Sequence, residues 1–279
     1  MSPSDAGNKA KNRVADVVRG AGDVAGGTVG AVKNTVVDAL RGVGDIGKAA
    51  SGAAADIVTG ALQAVGEIGG SAVEVVKGTV VGVLEGVGEI GKVTTGIVSD
   101  TVRSAIKGTA AIGGDAVEAA SGAAEAAIGA TKRVAVGIED TAVSVGRGAI
   151  LGAKDIGGDL VQTATDTVSG AVKGANEIAA DTTQTIQNTA SGLVKGTAEV
   201  GGDVAGVAKG AVEGAIKAAR DLGTSVEEAA SAAATGAVGA AKEIGQTAVD
   251  AVTGVVSGTI EGVKVTIGKV TGRGSNGAK

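Results

Sequence analysis

Five residue types are missing from the 279-residue sequence: Cys, His, Phe, Tyr and Trp. Without Cys the chain has no disulfide and no thiolate, and without His it lacks the usual proton shuttle and the commonest metal ligand. Asp/Glu pairs and Ser or Lys nucleophiles remain, but activating them requires burial among convergent groups, and the charges recur evenly along the chain. We therefore expect no enzymatic activity, no metal and no organic cofactor.

Basic blocks and long apolar runs are also lacking. The formal net charge is −5, both signs are interspersed, and no aromatic ring is available for base stacking, so nucleic acid is not an expected partner. The longest uncharged stretches, 182–194 and 229–241, have 13 residues each, whereas a membrane-spanning helix needs about 20. The N-terminus has no apolar signal core, so a cytoplasmic protein without transmembrane insertion is expected.

The sequence is instead a repeat of 22 residues. A landmark motif of an acidic residue, an aliphatic residue and Gly recurs at multiples of this interval, and eleven blocks from Val24 to Val265 align without a gap. A second aliphatic column lies sixteen residues after the first, from Leu40 to Ile260. Polar residues recur at steps of three and four, which is helical spacing; a β-solenoid would instead show alternation and turn clusters.

The pattern predicts an all-α protein in which one continuous helix of paired 11-residue hendecads spans residues 13–270, about 390 Å if straight. Residues 1–12 are assigned to a polar arm and helix start, and residues 271–279 to a Gly-rich flexible tail. A fold-back would need a turn, but the one Pro is Pro3 and the one Asn-Gly pair lies in the tail, so we favour a straight helix. At 3.67 residues per turn, assembled helices should supercoil right-handedly.

One face of this helix should be apolar, and we predict that it faces lipid. Its members form the landmark aliphatic column: Val24, Ile46, Ile68, Ile90, Ile112, Val134, Ile156, Ile178, Val200, Leu222 and Ile244.

Glycine is abundant, with 51 residues, and each costs up to about 1 kcal/mol in a helix interior. Many fall in three columns: the first follows each landmark, the second runs from Gly60 to Gly258, and the third lies four residues after the second. Such spacing lets helix backbones approach closely. Predicted helix–helix contacts are Gly47, Gly69, Gly91, Gly113, Gly157, Gly82, Gly86, Gly148, Gly152, Gly170, Gly174, Gly192, Gly196, Gly258 and Gly262.

These glycines form two shoulders about 150° apart around the helix, with the apolar arc between them. A helix with neighbours on both shoulders would form a wall, and the angle suggests a ring of about ten copies. Small side chains would leave its apolar lumen unfilled, so lipid acyl chains are the expected filling. The predicted product is a right-handed multi-helix coiled-coil tube or filament.

Two stretches resemble known amphipathic 11-residue repeat families. Residues 69–84, GGSAVEVVKGTVVGVL, resemble the middle of synucleins, and residues 170–177, GAVKGANE, are similar to the lipid-droplet repeats of perilipins. Group 3 late-embryogenesis-abundant (LEA) proteins share the hendecad. The resemblance implies a chain that is disordered alone and helical on lipid or on drying. However, the Lys-Thr-Lys-Glu-Gly-Val core of synucleins is absent, and charge is sparser than in typical LEA proteins, which favours self-association.

The sequence thus predicts a non-enzymatic structural protein that self-assembles through its Gly/Ala shoulders around a lipid-binding interior. The alternatives are an amphipathic coat on membranes or lipid droplets and a LEA-like desiccation protectant. A remote option is ice binding, because Thr recurs in one column: Thr35, Thr79, Thr101, Thr167 and Thr189.

Overall fold

Where the structure describes them, most blocks fold as one helix followed by a short connection. The computed structural model describes residues 3–20, 24–41 and 46–268, and within these ranges the chain forms twelve helices and one β-hairpin. The all-α prediction is confirmed. The helices are α1 Pro3–Arg19, α2 Val24–Leu40, α3 Ile46–Ile68, α4 Ala72–Ile90, α5 Thr95–Ala111, α6 Ala116–Ala130, α7 Ile138–Asp155, α8 Leu160–Glu177, α9 Thr182–Glu199, α10 Val204–Leu222, α11 Val226–Ile244 and α12 Gln246–Val256. Strands β1 Gly258–Ile260 and β2 Val263–Val265 pair in antiparallel fashion.

The prediction of one continuous helix is wrong for the described residues, because the landmark motif ends a helix. After α7, Gly157 has a left-handed φ of +68°, and the amide of Gly158 donates to the carbonyl of Ala153 at 2.8 Å, which is a Schellman motif. One residue later, Asp159 Oδ1 accepts hydrogen bonds from the amides of Val161 and Gln162 and caps α8. Four residues therefore suffice to reverse the chain.

The helices stack in two layers. Each helix from α1 to α11 packs most extensively on a helix two positions away in sequence, and α12 packs equally on α10 and α11, so odd-numbered helices form one layer and even-numbered helices the other. Because the connecting turns are short, consecutive helices are antiparallel and the two layers face each other. The result is a helical solenoid, in which each unit contacts only its near neighbours.

The core lies between the layers. The second aliphatic column of the sequence, which we call the spine, is at most 6% exposed at every position. The buried residues form two clusters that meet at α7 and α8, and each helix contributes at least one side chain to them. Small Ala and Val side chains fill the space around the spine. The spine consists of Leu40, Leu62, Leu84, Ile106, Ile128, Ile150, Val172, Val194, Ile216, Val238 and Ile260.

The two ends differ from the interior of the array. Part of the predicted N-terminal arm belongs to α1, where Ala6 and Ala10 are buried in the core while Asn8, Asn12 and Asp16 are exposed. At the other end the β-hairpin packs on α11. The predicted tail, 271–279, lies outside the described residues.

Candidate interaction surfaces

Glycine brings the backbones of same-layer helices into contact. From α7 onward the second glycine column lies against a carbonyl exactly 49 residues earlier, on the helix two positions back. A Cβ at any of these positions would overlap that carbonyl oxygen, so only Gly permits the approach. The contacts are Gly148 on Ser99, Gly170 on Ser121, Gly192 on Val143, Gly214 on Thr165 and Gly236 on Gln187.

The third column repeats this contact one helical turn later. Gly174 lies on the backbone of Glu125, and Gly152 and Gly196 lie on Arg103 and Arg147, again 49 residues earlier. Near the N-terminus, Gly82 and Gly86 contact α2 in a register shifted by four residues: a Cβ at Gly82 would lie 2.8 Å from Val29 O, and one at Gly86 would lie 2.9 Å from Lys33 O. These second- and third-column glycines therefore contact helices of the same chain.

The first glycine column is not a helix–helix surface. Gly69, Gly113 and Gly157 have positive φ values in the turns, and nothing lies within 4 Å of a Cβ built on them. Gly91 is the C-cap of α4, and the surroundings of Gly47 lie outside the described residues. Gly258 and Gly262 also depart from the prediction, because they shape the hairpin with φ values of +101° and +80°.

The predicted lipid-facing column is distributed over the helix ends. Ile68, Ile90, Ile112, Ile156 and Val200 are half-buried against the chain's own core, as are Val24 and Leu222, and Ile178 is also half-buried. Val134 is buried in the turn after α6, whereas Ile244 is 43% exposed at the end of α11. The side chain of Ile46 lies outside the described residues. The column therefore does not form one apolar stripe along one helix.

Ion pairs connect the helices of each layer. Five acidic landmark residues pair with basic residues two helices earlier. Asp155 accepts two hydrogen bonds from Arg103, at 2.7 and 2.9 Å, and pairs with Lys107 at 3.0 Å. The Arg103 guanidinium, helped by Lys107, lowers the pKa of the Asp155 carboxyl below its usual value. Equivalent pairs are Lys11–Glu67, Lys33–Glu89, Arg147–Glu199 and Lys195–Glu243.

Two carboxyl groups meet on the outer surface of the even layer. Lys77 of α4 forms an ion pair with Glu125 of α6, whose side chain is 12% exposed. Glu177 of α8 lies beside Glu125, and partial burial, followed by the neighbouring Glu125 carboxyl, raises the pKa of Glu177. The cluster links three stacked helices, and its one cation compensates one carboxylate. It holds no nucleophile, so we assign it a structural role.

The threonine column is buried and cannot bind ice. Thr35, Thr101 and Thr167 are 0% exposed and donate to carbonyls four residues earlier in their own helices. Thr79 and Thr189 are equally buried.

The grooves on the surface are shallow and lack convergent reactive groups. A groove of about 270 Å³ lies between α3 and α5, lined by Thr59, Asp100, Arg103, Ser104 and Lys107. It opens where Ser104 occupies the second glycine column, so these helices lack the close glycine contact. Arg103 and Lys107 both pair with Asp155 of α7, and Asp100 lines the same groove, so two cations lie among two carboxylates and the groove carries no net charge of one sign.

Among the described residues, no cluster of three or more acidic side chains could hold a metal ion, and no helix is long and apolar enough to cross a membrane. No protein-family model matches the chain, and no curated protein sequence is significantly similar to it. Any function is therefore argued from the architecture.

The C-terminal end is the surface that sequence reasoning missed. Ile260, Val263 and Val265 are buried against the core, while the amides of Thr266 and Gly268 donate to Ser231 Oγ and Thr235 Oγ1 of α11 at 3.1 and 2.9 Å. Inner helices use these positions of the block to receive the helix two positions later. The hairpin therefore lies where a thirteenth helix would pack. The repeat columns continue into it, so periodicity alone gave no signal of a change in structure.

Proposed function

We propose that this chain is a non-enzymatic structural protein, a helical solenoid that provides a stack of fixed length with a charged, patch-free surface. The glycine–carbonyl contact that recurs at a 49-residue interval from α7 to α11 carries the proposal, because it sets one spacing between each of these helices and the helix two positions back. The spine continues through both layers from Leu40 to Ile260. Evenly spaced ion pairs then join the outer surfaces of successive helices.

The distribution of chemistry supports this role. Solenoids gain stability from nearest-neighbour contacts, so a sequence without aromatic residues can extend its core indefinitely by repetition. Many charged side chains of the described region pair across helices, and the groove lined by Lys33, Glu85, Glu89 and Arg133 contains equal numbers of acidic and basic groups, which pair with one another. A surface of this kind suits a spacer or scaffold.

Assembly around lipid requires surfaces that the solenoid covers. A lipid-filled tube needs a helix with two unoccupied glycine shoulders and an uncovered apolar arc. In the solenoid, helices of the same chain lie against the second- and third-column glycines, and the apolar arc forms the spine. The surface that predicts a tube of about ten copies around a lipid-filled lumen is therefore used within the chain. The proposed protein needs no lipid to fold.

A coat on membranes or droplets is the second candidate. One observation favours it: the helices from α4 to α11 each bury a long face of small and aliphatic residues, and the described connections between the layers have one to seven residues, several of them four. If the layers separated, these faces could turn together towards a lipid surface, as in other interfacial amphipathic helices. The lipid would then replace the second layer.

Scattering and circular dichroism of the purified chain separate these possibilities. Six helices per layer at about 8–10 Å each predict a particle about 50 Å along the stack, strongly helical without lipid. A filament near the straight-helix length of about 390 Å would contradict the solenoid. A chain that is unfolded alone and becomes helical with phosphatidylcholine/phosphatidylserine vesicles would instead support the coat. Organic extraction and lipid mass spectrometry of the purified particle test directly for bound acyl chains.

A further inference from the structure

The last block of the sequence is built like the others but folds differently. α12 has 11 residues, whereas the other helices have 15 to 23, and the segment that would complete it forms the hairpin. Gly258, Ile260 and Gly262 nevertheless occupy the second glycine column, the spine and the third glycine column. If α12 continued as a helix, the 49-residue interval would place Gly258 over Lys209 and Gly262 over Glu213 of α10. A second, helical position is therefore available to this segment.

The hairpin is a weakly held alternative to that helix. Its strands have three residues each, and an isolated two-stranded hairpin is marginally stable. Glu261 in its turn has φ +48°, a left-handed conformation that is strained for a non-Gly residue. Arg220 holds this residue through its carboxylate at 2.8 Å and its carbonyl at 3.2 Å. Three buried aliphatic side chains and two hydrogen bonds to α11 provide the rest of the attachment.

The helix surface at the hairpin is complementary to itself. Glu228, Ser231, Thr235, Gly239 and Lys242, which we call the α11 stripe, lie within about 40° of one line along the helix. The residues in the middle of the stripe have small side chains, and Glu228 and Lys242 are each seven residues from Thr235. When two such stripes pair in antiparallel orientation about Thr235, each Glu228 meets Lys242 of the other copy, and each Ser231 meets Gly239. Small residues permit close approach, and the charges fix the register.

We propose that residues 257–268 are a removable cap on this stripe. In the capped state the hairpin occupies α11 and the chain is a monomer. When the segment joins α12 as a helix over α10, the α11 stripe is uncovered and pairs with the same stripe of a second copy, tail to tail. The partner is a second copy because the end charges of the stripe are self-complementary about Thr235. The equivalent positions of inner helices, such as Gln187, receive the glycine face of another helix, so the stripe occupies a helix-binding face. The proposal rests on the solenoid of the proposed function.

Val265→Glu in the full-length chain tests the cap. Val265 is 7% exposed or less in the hairpin, where a carboxylate would be buried without a partner, but it falls in the acidic landmark column, where a helix accepts Glu. We expect the variant to double its mass in light scattering as its concentration rises, while the wild type stays monomeric. Lys264→Glu is the matched control, because Lys264 is exposed in the same strand; it should remain monomeric.

Two further sets of variants test the α11 stripe and the effect of fixing the cap with a disulfide. Adding Lys242→Glu to Val265→Glu should weaken dimerisation about tenfold or more, and adding Glu228→Lys as well should restore it, because the charges are then exchanged. Oxidised Ser231→Cys/Thr266→Cys should fix the cap in a chain that has no other Cys and keep it monomeric at every concentration.

The proposal is overturned if Val265→Glu stays monomeric with native helicity, or if its dimer is indifferent to both charge substitutions. Scattering from the oxidised, locked monomer reports on the solenoid alone. A monomer of the expected length with no dimer from Val265→Glu would therefore refute the cap and leave the proposed function intact, whereas an elongated locked chain would refute both.

Discussion

At the scale of single residues, the turns depend on one position with positive φ. Gly113, Gly157, Gly201 and Gly223 all adopt φ between +66° and +74° directly after a helix. Glycine populates this left-handed region without the steric penalty that a Cβ introduces. In the turn after α8 the same position is Ala179, which is forced to φ +49° while the Schellman bond from Ala180 to Ala175 is still made at 2.9 Å. Among the described turns of this type, the one after α8 is therefore a strained copy.

Ala179→Gly should raise the free energy of unfolding by about 0.5–1 kcal/mol. The left-handed strain that the substitution relieves is larger than the extra conformational entropy that glycine gives the unfolded chain. Urea denaturation followed by circular dichroism measures it. Ala198→Gly is the control: Ala198 lies within α9, and the substitution should destabilise by up to about 1 kcal/mol. Equal destabilisation by both variants would show that the turn does not require a left-handed residue.

At the scale of helices, glycine has opposite effects in different columns. In the second column it lies on the backbone of another helix, whereas Gly30 of α2 has nothing within 4 Å of a Cβ position. The first kind is required by packing, and the second only lowers helix propensity. The composition of 51 glycines therefore combines residues that stabilise the fold with residues that weaken it.

Gly192→Ala should destabilise the protein by about 1–3 kcal/mol, because its Cβ would overlap the carbonyl of Val143 and push α9 away from α7. Gly30→Ala, the matched change at an open helical position, should stabilise it by up to about 1 kcal/mol. Thermal unfolding of both variants gives the comparison. If Gly192→Ala were as stable as the wild type, the close backbone contact could not be what sets the spacing of the layer.

The sequence predicted the faces of these helices better than their ends. Columns at Leu62, Ile150 and Gly192 depend on the 3.6-residue period, which is the same in a long helix and in a short one. Pro or Asn-Gly predicts a helix end, but this chain reverses at Gly-Gly-Asp. At residues 157–159, for example, the first Gly is left-handed and Asp caps the next helix. In the sequence, the signal for these helix ends is a pair of adjacent glycines followed by a capping residue at a recurring position of the 22-residue repeat.

At the scale of the whole molecule, an ungapped 22-residue repeat fits both a continuous helix and a solenoid. The two differ in where each apolar face finds its cover: another molecule in the first case, the helix two positions away in the second. Periodicity contains no information on that choice, which is why the predicted lipid and ring of copies depended on an isolated helix. The long-range ion pairs, such as Arg147 with Glu199, could not be predicted for the same reason.

The first two helices carry aspartate where later helices carry glycine. Asp16 of α1 and Asp38 of α2 occupy the second glycine column. Asp38 accepts hydrogen bonds from Lys9 at 2.7 Å and Arg13 at 3.2 Å, and these cations, Lys9 foremost, lower its pKa. In this column α2 therefore forms an ion pair with α1, whereas α7–α11 form a backbone contact with the helix two positions back.

Deletion of residues 178–221 tests the one-dimensional character of the whole molecule. It removes one helix from each layer and joins Glu177 to Leu222, so that every column continues and Gly236 takes the place of Gly192 over Val143. The shortened chain should fold with the same helical fraction, and X-ray scattering should show a stack shorter by about 8–10 Å, one helix spacing. Loss of about 66 Å would indicate a straight helix, at 1.5 Å for each residue removed. An unfolded product would show that distant helices depend on one another, because a solenoid held by near-neighbour contacts tolerates the loss of one helix pair.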